Sequence, residues 1–388
     1  MNSDINIGID YRKTLDIIGR TKEAFEDISK GRDFLLNLKK TDSVLCYSHN
    51  DGDGLCSAAI LDWYLHERKI PHHISLTEPH HRGLYSQKVK KRIRQNSCNK
   101  IIISDLELSR FSKGYEYCKQ NNLPLLEIDH HTHLKSRVSD ISTYVNLKYP
   151  PLNEGPSASA LTYKLCKCAG IKKDLSWVAL IGSVSDKLMT PSLDLLDIEE
   201  QTLNTYARGK QLDPDFNPVV YALNISYYDC GLNKELFNHL KKSIKLNDPL
   251  YIWLRKNDET KHVFDVIEES EKELRYWLKN GEKIEDKKAN FYFLGTKSNK
   301  DIKRLAIGVL SIRKPKYTVA TSREDKDLIH FSFRKHSGDL VPILKKATKN
   351  IFCRSVGGHS GAGGIITAIK NKSKVIDNII KILSEENK

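Results

Sequence analysis

Residues 44–54 read Val44-Leu45-Cys46-Tyr47-Ser48-His49-Asn50-Asp51-Gly52-Asp53-Gly54. A short apolar run that breaks into histidine, aspartate and glycine is the pattern of a buried strand handing polar side chains to a tight turn. His49, Asp51 and Asp53 alternate, so their side chains point the same way if the backbone stays extended. Gly52 and Gly54 remove bulk where the chain must turn into the helical stretch Cys56–Glu67. Asp-Gly-Asp-Gly is by itself a weak signal, being also a common loop and a fragment of a calcium loop. An EF-hand needs more acidic ligands downstream and a closing glutamate. The apolar segment Ala58–Leu65 stands there instead, which excludes it.

Working outward, the same grammar recurs. Ile101–Ser104 ends at Asp105, Leu125–Ile128 ends at Asp129-His130-His131, and the apolar segment Val178–Gly182 precedes Asp186. Helical stretches such as Ser86–Gln95 lie between. Strand, polar cluster and helix in repetition predict a parallel α/β sheet, in which ligands sit outside the carboxyl ends of the strands. All four clusters are therefore expected in one crevice, each at a strand end. So many carboxylates together would repel and take up protons unless cations were bound. Imidazole mixed with carboxylate suits Mn²⁺ better than an all-oxygen Mg²⁺ or Ca²⁺ cage. The ligands are too many for one ion, and two ions about 3.5–4 Å apart sharing a carboxylate is the arrangement that drives phosphoryl displacement by water.

The rest of the chain divides by texture. Residues 1–40 form an N-terminal helical region, with Leu15, Ile18, Phe25, Ile28, Phe34 and Leu35 at helical spacing. Residues 41–192 are the catalytic α/β domain. Residues 193–286 lose the alternation, carry the breaks Asp213-Pro214, Asn217-Pro218 and Asp248-Pro249 and the helix-like Val263–Lys279, and read as a helical connector. Residues 287–388 read as a smaller α/β domain, with strand texture at Phe291–Leu294, Leu305–Ile312, Tyr317–Thr321 and Ile329–Phe333, a glycine-rich turn at Gly357–Gly364 and a last helix around Val375–Leu383. His72-His73 and His80-His81 flank Thr77-Glu78-Pro79 and read as a third metal site, a substrate lip or a solvated loop.

Composition narrows the partner. The 388 residues carry 63 Lys and Arg against 49 Asp and Glu, a formal net charge of +14. That excess favours a polyanion through counterion release, although a generally basic proteome would also produce it. The eight cysteines show no paired spacing beyond Cys166-x-Cys168, so they are expected to be reduced thiols in a cytoplasmic protein. No apolar run approaches the ~18 residues of a membrane span, so no membrane partner is expected.

Taken in order and spacing, His49-x-Asp51-x-Asp53, Asp105, Asp129-His130-His131 and Asp186 resemble the four motifs of the DHH phosphoesterase superfamily. Ser355-Val356-Gly357-Gly358-His359-Ser360-Gly361-Ala362-Gly363 resembles the glycine-histidine motif of the DHH-associated domain. One residue between His49 and Asp51 is similar to the RecJ-like single-strand nucleases, especially the compact archaeal type, whereas pyrophosphatase and short-oligonucleotide members usually have a longer gap. The tail departs from the family in reading Val-Gly-Gly-His before Ser360 and in having Gly361.

The resemblance implies a parallel-sheet DHH catalytic domain, a helical connector and a DHH-associated substrate-binding domain, with the active site in the interdomain cleft. It implies that His49 and Asp51 hold one Mn²⁺ and Asp53, His130 and Asp186 a second, with Asp105 bridging and Mg²⁺ or Co²⁺ as substitutes. His131 would face the scissile phosphate, Asp129 would orient a neighbouring histidine, and Arg334, Gly357, Gly358 and His359 would grip the strand. The implied activity is exonucleolytic hydrolysis of single-stranded DNA, and of RNA, in replication or repair, with the GINS complex and replisome proteins as implied partners. The alternatives are a short-oligonucleotide or cyclic-dinucleotide phosphodiesterase and a non-catalytic replisome component.

Overall fold

β1 (Val44–Ser48), β3 (Lys100–Ser104) and β4 (Leu125–Ile128) are the apolar runs, and apart from the half-buried Lys100 every residue in them is buried. Edge strands β2 (His72–Leu76) and β5 (Ser142–Val145) complete a five-stranded parallel sheet in the order β2-β1-β3-β4-β5. The computed structural model describes residues 22–77, 86–106, 112–131, 141–147, 155–186, 188, 192, 195–196, 230–247, 258–298, 302–335, 338–359 and 361–387. His80, His81 and residues 1–21 lie outside them, as does much of the connector. The chain divides into two units, Met1–Thr260 and Lys261–Lys388. No described helix is long and apolar enough to cross a membrane.

In the first unit, α1 (Lys22–Leu36) packs on β5, and α2 (Gly52–Glu67) packs on β1 and β2. The other sheet face carries α3 (Gln87–Gln95) and α4 (Ser112–Gln120), whose Val89, Ile93 and Cys118 meet Leu45, Tyr47, Ile101 and Ile103. Two further helices, α5 (Ala158–Cys168) and α6 (Ser176–Ser185), pack against α2 and each other. The segment before Asp186 is therefore helical and not a strand. Its run Trp177–Ile181 is buried, so the apolar pattern has no gaps from which a helical period could be read. The cysteines with described side chains are free thiols.

His72 and His73 lie in edge strand β2, not in a loop. His72 Nε2 is 3.3 Å from Asp62 Oδ1 of α2, and Lys241 Nζ of α7 (Cys230–Leu246) is 3.0 Å from Asp62 Oδ2. Burial would push the Asp62 carboxyl up, but the bonds from His72 and Lys241 hold it below its ordinary 3.8. Burial would push His72 down, but the Asp62 bond lifts it above 6.5. The signs set a pH window. Asp62 contributes stability above 3.8 and loses it as pH falls through its lowered value, whereas His72 contributes fully below 6.5 and loses it as pH rises through its raised value. Asp62→Asn is expected to lower the melting temperature most between those two values, and progressively less as pH falls through the lowered Asp62 value or rises through the raised His72 value. A parallel offset at all pH values would contradict the pairing.

The second unit holds α8 (Asp258–Asn280) and a mixed sheet, ordered β10-β11-β9-β8-β7-β6. Its strands are β6 (Glu282–Asp286), β7 (Phe291–Thr296), β8 (Thr318–Asp325), β9 (Leu328–Arg334), β10 (Cys353–His359) and β11 (Ala362–Ala368). Residues 282–286, taken above with the connector, thus pair with β7 as a sheet edge. Residues 305–312 are not a strand but lie in helix α9 (Lys303–Arg313). The reason is topological: β7 and β8 run parallel, so a crossover must return the chain between them. The glycine-rich stretch is a hairpin, not one turn, since Gly357 and Gly358 pair with Gly364 and Gly363 across β10 and β11. Helices α10 (Leu340–Ala347) and α11 (Lys372–Glu386) cover one face, packing Leu344 and Ile379 against Phe331 and Phe333.

Candidate metal centre

The sheet order reverses between β1 and its neighbours β2 and β3, which places a crevice at their carboxyl ends. Each polar residue just past a strand is pinned by the next strand end. His49 N–H donates to Ser104 O (3.2 Å), Asp105 N–H to Ile128 O (2.9 Å) and Asp129 N–H to Val145 O (3.0 Å). His49, Asp105 and Asp129 therefore stand in a row along the sheet edge. Asp105 takes a left-handed backbone (φ 58°) to do so, a conformation that a short polar residue tolerates and that collects at functional sites.

Asp51 and Asp53 are reached differently from the extended alternation expected. The helix starts at Gly52, so Asp51 is the N-cap of α2, accepting from Gly54 N–H at 3.3 Å, and Asp53 lies in the first helical turn. Asp53 is fully buried, and its two oxygens accept from Ala158 N–H (2.7 Å) and Ser159 N–H (2.9 Å) at the start of α5. A helix N-terminus is a favourable place for a carboxylate. Asp186 arrives from the C-cap of α6, completing the crevice from a helix end.

The side chains converge. His49 Nδ1 lies 2.7 Å from Asp51 Oδ2 and 3.4 Å from Asp105 Oδ2. His130 Nε2 lies 3.2 Å from Asp105 Oδ1 and 3.1 Å from Asp186 Oδ2. His131 Nδ1 lies 2.7 Å from Asp129 Oδ1, with the imidazole 35% exposed and the carboxylate wholly buried. Ligand atoms within 4.8 Å of one another form two groups that share Asp105: His49, Asp51 and Asp105, and Asp53, Asp105, His130 and Asp186. A third set joins Asp105 and His130 to Asp129 and His131.

Electrostatics fits a cation. Burial, then the charge of Asp186, pushes the Asp53 carboxyl up to about 6. Burial and the charge of Asp51 push Asp105 well above the carboxylate range. Burial would lower His130, but its bonds to Asp105 and Asp186 outweigh that and raise it strongly. Asp105 Oδ2 is buried and accepts no hydrogen bond among the described residues. Carboxylates forced toward protonation, with a buried oxygen left over, are what a divalent ion would relieve.

Two glycines support these ligands, of which the sequence marked only Gly54, at the turn. A Cβ on Gly54 would stand 2.3 Å from His49 O, and one on Gly182 would stand 2.9 Å from Asp53 Oδ1. The small-residue run Ser157-Ala158-Ser159 opening α5 was the signal for the Asp53 cradle, since an N-capping serine marks where free N–H groups collect. His72 joins none of the metal-capable groups among the described residues. In the second unit the register puts Arg334, Ala362 and His359 in one row across β9, β11 and β10. Gly358 has φ 151°, and a Cβ there would stand 2.1 Å from Ala362 O, whereas one on Gly357 would meet nothing within 4 Å.

Residues 43–188 match the N-terminal domain of the DHH family. That stretch is a DHH-family domain. In fold the chain is similar to several solved structures. RecJ from Thermus thermophilus in complex with Mn²⁺ is 14% identical with a TM-score of 0.65, over 93% of this chain and 55% of that one. An exonuclease RecJ bound to manganese is 14% identical with a TM-score of 0.61, over 92% and 94%. A DHH domain from a member of a family of ribosomal proteins is 13% identical with a TM-score of 0.69, over 98% and 94%. The chain thus spans about half the length of the Thermus RecJ chain. No curated protein matches it at a significant level.

Proposed function

We propose that this protein is a divalent-metal-dependent phosphodiesterase, a RecJ-like exonuclease acting on single-stranded DNA and on RNA. One observation carries the reading: Asp105 turns one carboxylate oxygen toward His130 and the other toward His49, at the junction of the two ligand groups. His49 and Asp51 would hold one ion, Asp53, His130 and Asp186 a second, and Asp105 both, with Mn²⁺ the ion best matched to the mixed donor set. Bound divalent ions supply Lewis-acid polarisation of a phosphoryl oxygen and acidify water at neutral pH.

The chain's own residues do the positioning. Asp53 is held by the α5 N–H groups, so its carboxylate keeps one orientation as charge changes around it. Asp129 accepts from His131 Nδ1–H and fixes the ring, in the manner of a carboxylate behind a histidine. Nε2 is left for the phosphoryl group, where in its protonated form it sets an N–H against charge developing in the transition state. Arg334 and the backbone of Gly357 and Gly358 would grip phosphates away from the reaction. The net charge of +14 supports a polyanionic substrate.

The test is digestion of end-labelled single-stranded DNA and RNA, and of duplex, with Mn²⁺. Single strands are expected to be shortened and duplex spared, and dinucleotides turning over far faster than long strands would replace this reading with a small-substrate one. Arg334→Ala is expected to weaken strand binding about ten- to a hundredfold, the worth of one charge-assisted contact, with turnover at saturation falling less. Unchanged affinity would remove the clamp.

A further inference from the structure

On the sheet face that carries Leu45 and Tyr47, a cavity of about 370 Å³ lies between the last residues of β1 and β2 and the first turns of α3. Tyr47, Ser75, Ser86, Lys88 and Arg92 line it. None of these belongs to the metal-capable groups.

The wall is built for an anion. Arg92 is half-buried, and its guanidinium donates to the buried hydroxyl of Ser75. Among the described residues no carboxylate lies within ion-pair distance of it. A partly buried guanidinium held by a neutral hydroxyl, with no carboxylate beside it among the described residues, keeps most of its fork of donors for something else. Ser86 Oγ accepts from Val89 N–H and so retains its O–H as a donor. The helix that forms this wall, Gln87-Lys88-Val89-Lys90-Lys91-Arg92-Ile93-Arg94-Gln95, has five basic residues and no acidic one. Among the described residues no carboxylate lines the cavity to hold a cation, whereas a tetrahedral oxyanion meets donors and positive potential.

The cavity is wired to the metal centre. Ser75 pairs with Tyr47 in register, and Tyr47 is two residues before His49, about 7 Å along an extended strand. Two residues beyond Ser75, Thr77 N–H donates to Ser48 O (2.9 Å) and Thr77 Oγ1 donates to Asn50 Oδ1 (2.9 Å). The cavity wall and the first motif are thus one hydrogen-bonded unit at the same sheet edge.

We infer that this cavity is a phosphate site, in which Arg92, Ser86 and Lys88 hold a non-reacting phosphate of the nucleic acid strand. The site itself stands on the cavity and its donors, and only the identity of the ligand as a strand phosphate rests on the nuclease reading. Arg92 would act as a bidentate clamp and Lys88 as a point charge, giving the DHH domain its own grip on the strand independently of Arg334.

The experiment is run in excess chelator, so that nothing is hydrolysed, on full-length wild type, Arg92→Gln and Arg94→Gln. Arg94 is exposed on the same helix and does not line the cavity, so it controls for charge alone. The probes are inorganic phosphate, read by the melting temperature, and a labelled single strand of about twenty nucleotides, read by anisotropy. Phosphate is expected to stabilise wild type and Arg94→Gln but not Arg92→Gln. Strand affinity is expected to fall about ten- to a hundredfold in Arg92→Gln and much less in Arg94→Gln, with the salt slope reduced by about 0.7 in the former. Should Arg92→Gln fail to fold, Lys88→Ala at an exposed lining position gives a smaller loss of the same kind. Equal losses in the Arg92 and Arg94 variants, or no phosphate effect on wild type, would overturn the site. Wild type that binds phosphate through Arg92 yet leaves strands uncut in Mn²⁺ would support the anion site and sink the nuclease reading. Wild type that cuts strands while Arg92→Gln binds them normally would do the reverse.

Discussion

Asp105→Asn is expected to lower turnover on the order of a thousandfold or more, while the protein in chelator melts no lower than wild type. Activity falls because asparagine offers one oxygen where the carboxylate offers two. The oxygen toward His130 (3.2 Å) and the oxygen toward His49 (3.4 Å) cannot both survive, so both ligand groups lose their shared donor. Stability should not follow, because the sign of the Asp105 shift runs the other way. Its carboxyl is raised by burial and by Asp51, so at neutral pH the ionised form is disfavoured by the fold and its removal relieves that cost. A destabilising loss of packing would lower the melting temperature along with activity, and the two readouts separate these causes. Wild-type turnover in the variant would refute a shared ligand.

Gly54→Ala is expected to cost about 3 kcal/mol or more in stability of the first unit, a fall of roughly 6–12 °C in its melting temperature. The added Cβ would stand 2.3 Å from His49 O and 2.6 Å from His49 C. Those are backbone atoms fixed by the ladder from His49 N–H to Ser104 O, and they cannot rotate aside as a side chain would. Either α2 backs away from β1 or His49 leaves its row, and both misplace Asp51 and Asp53. Gly357→Ala is the contrasting case, since a Cβ there meets nothing within 4 Å, and its melting temperature should stay close to wild type. Scanning calorimetry of the two variants checks both. A mild Gly54→Ala would mean that the turn before α2 is looser than its contacts indicate.

Legibility in the sequence followed burial and distance. β1, β3 and β4 were readable because a strand covered on both faces leaves a short unbroken apolar run, and a polar cluster marks its end. The same lack of alternation misled at residues 178–182 and 305–312: α6 buries every residue from Ser176 to Ser183 and so erases its own period, and 305–312 is a short, largely apolar run that a strand would also show. Length would have helped in both places, at 10 and 11 residues. The candidate ligands were visible by residue type, and the structure brings His49, Asp51, Asp53, Asp105, His130 and Asp186 into overlapping groups. Their supports were not, because a backbone N–H of Ser159 reaching Asp53 across 106 residues leaves no trace in local pattern. Gly182 was hidden for the same reason. Arg92 carries no motif signal, standing among five basic residues on one helix, and only the cavity and the Ser75 hydroxyl beneath it set it apart.

The most direct measurement of the central claim is anomalous scattering at the manganese edge from crystals of the protein grown with Mn²⁺. Two peaks are expected, one among His49, Asp51 and Asp105 and the other among Asp53, Asp105, His130 and Asp186, with Asp105 touching both. A single peak that leaves Asp105 bound through one oxygen, or no peak in this crevice, would contradict it.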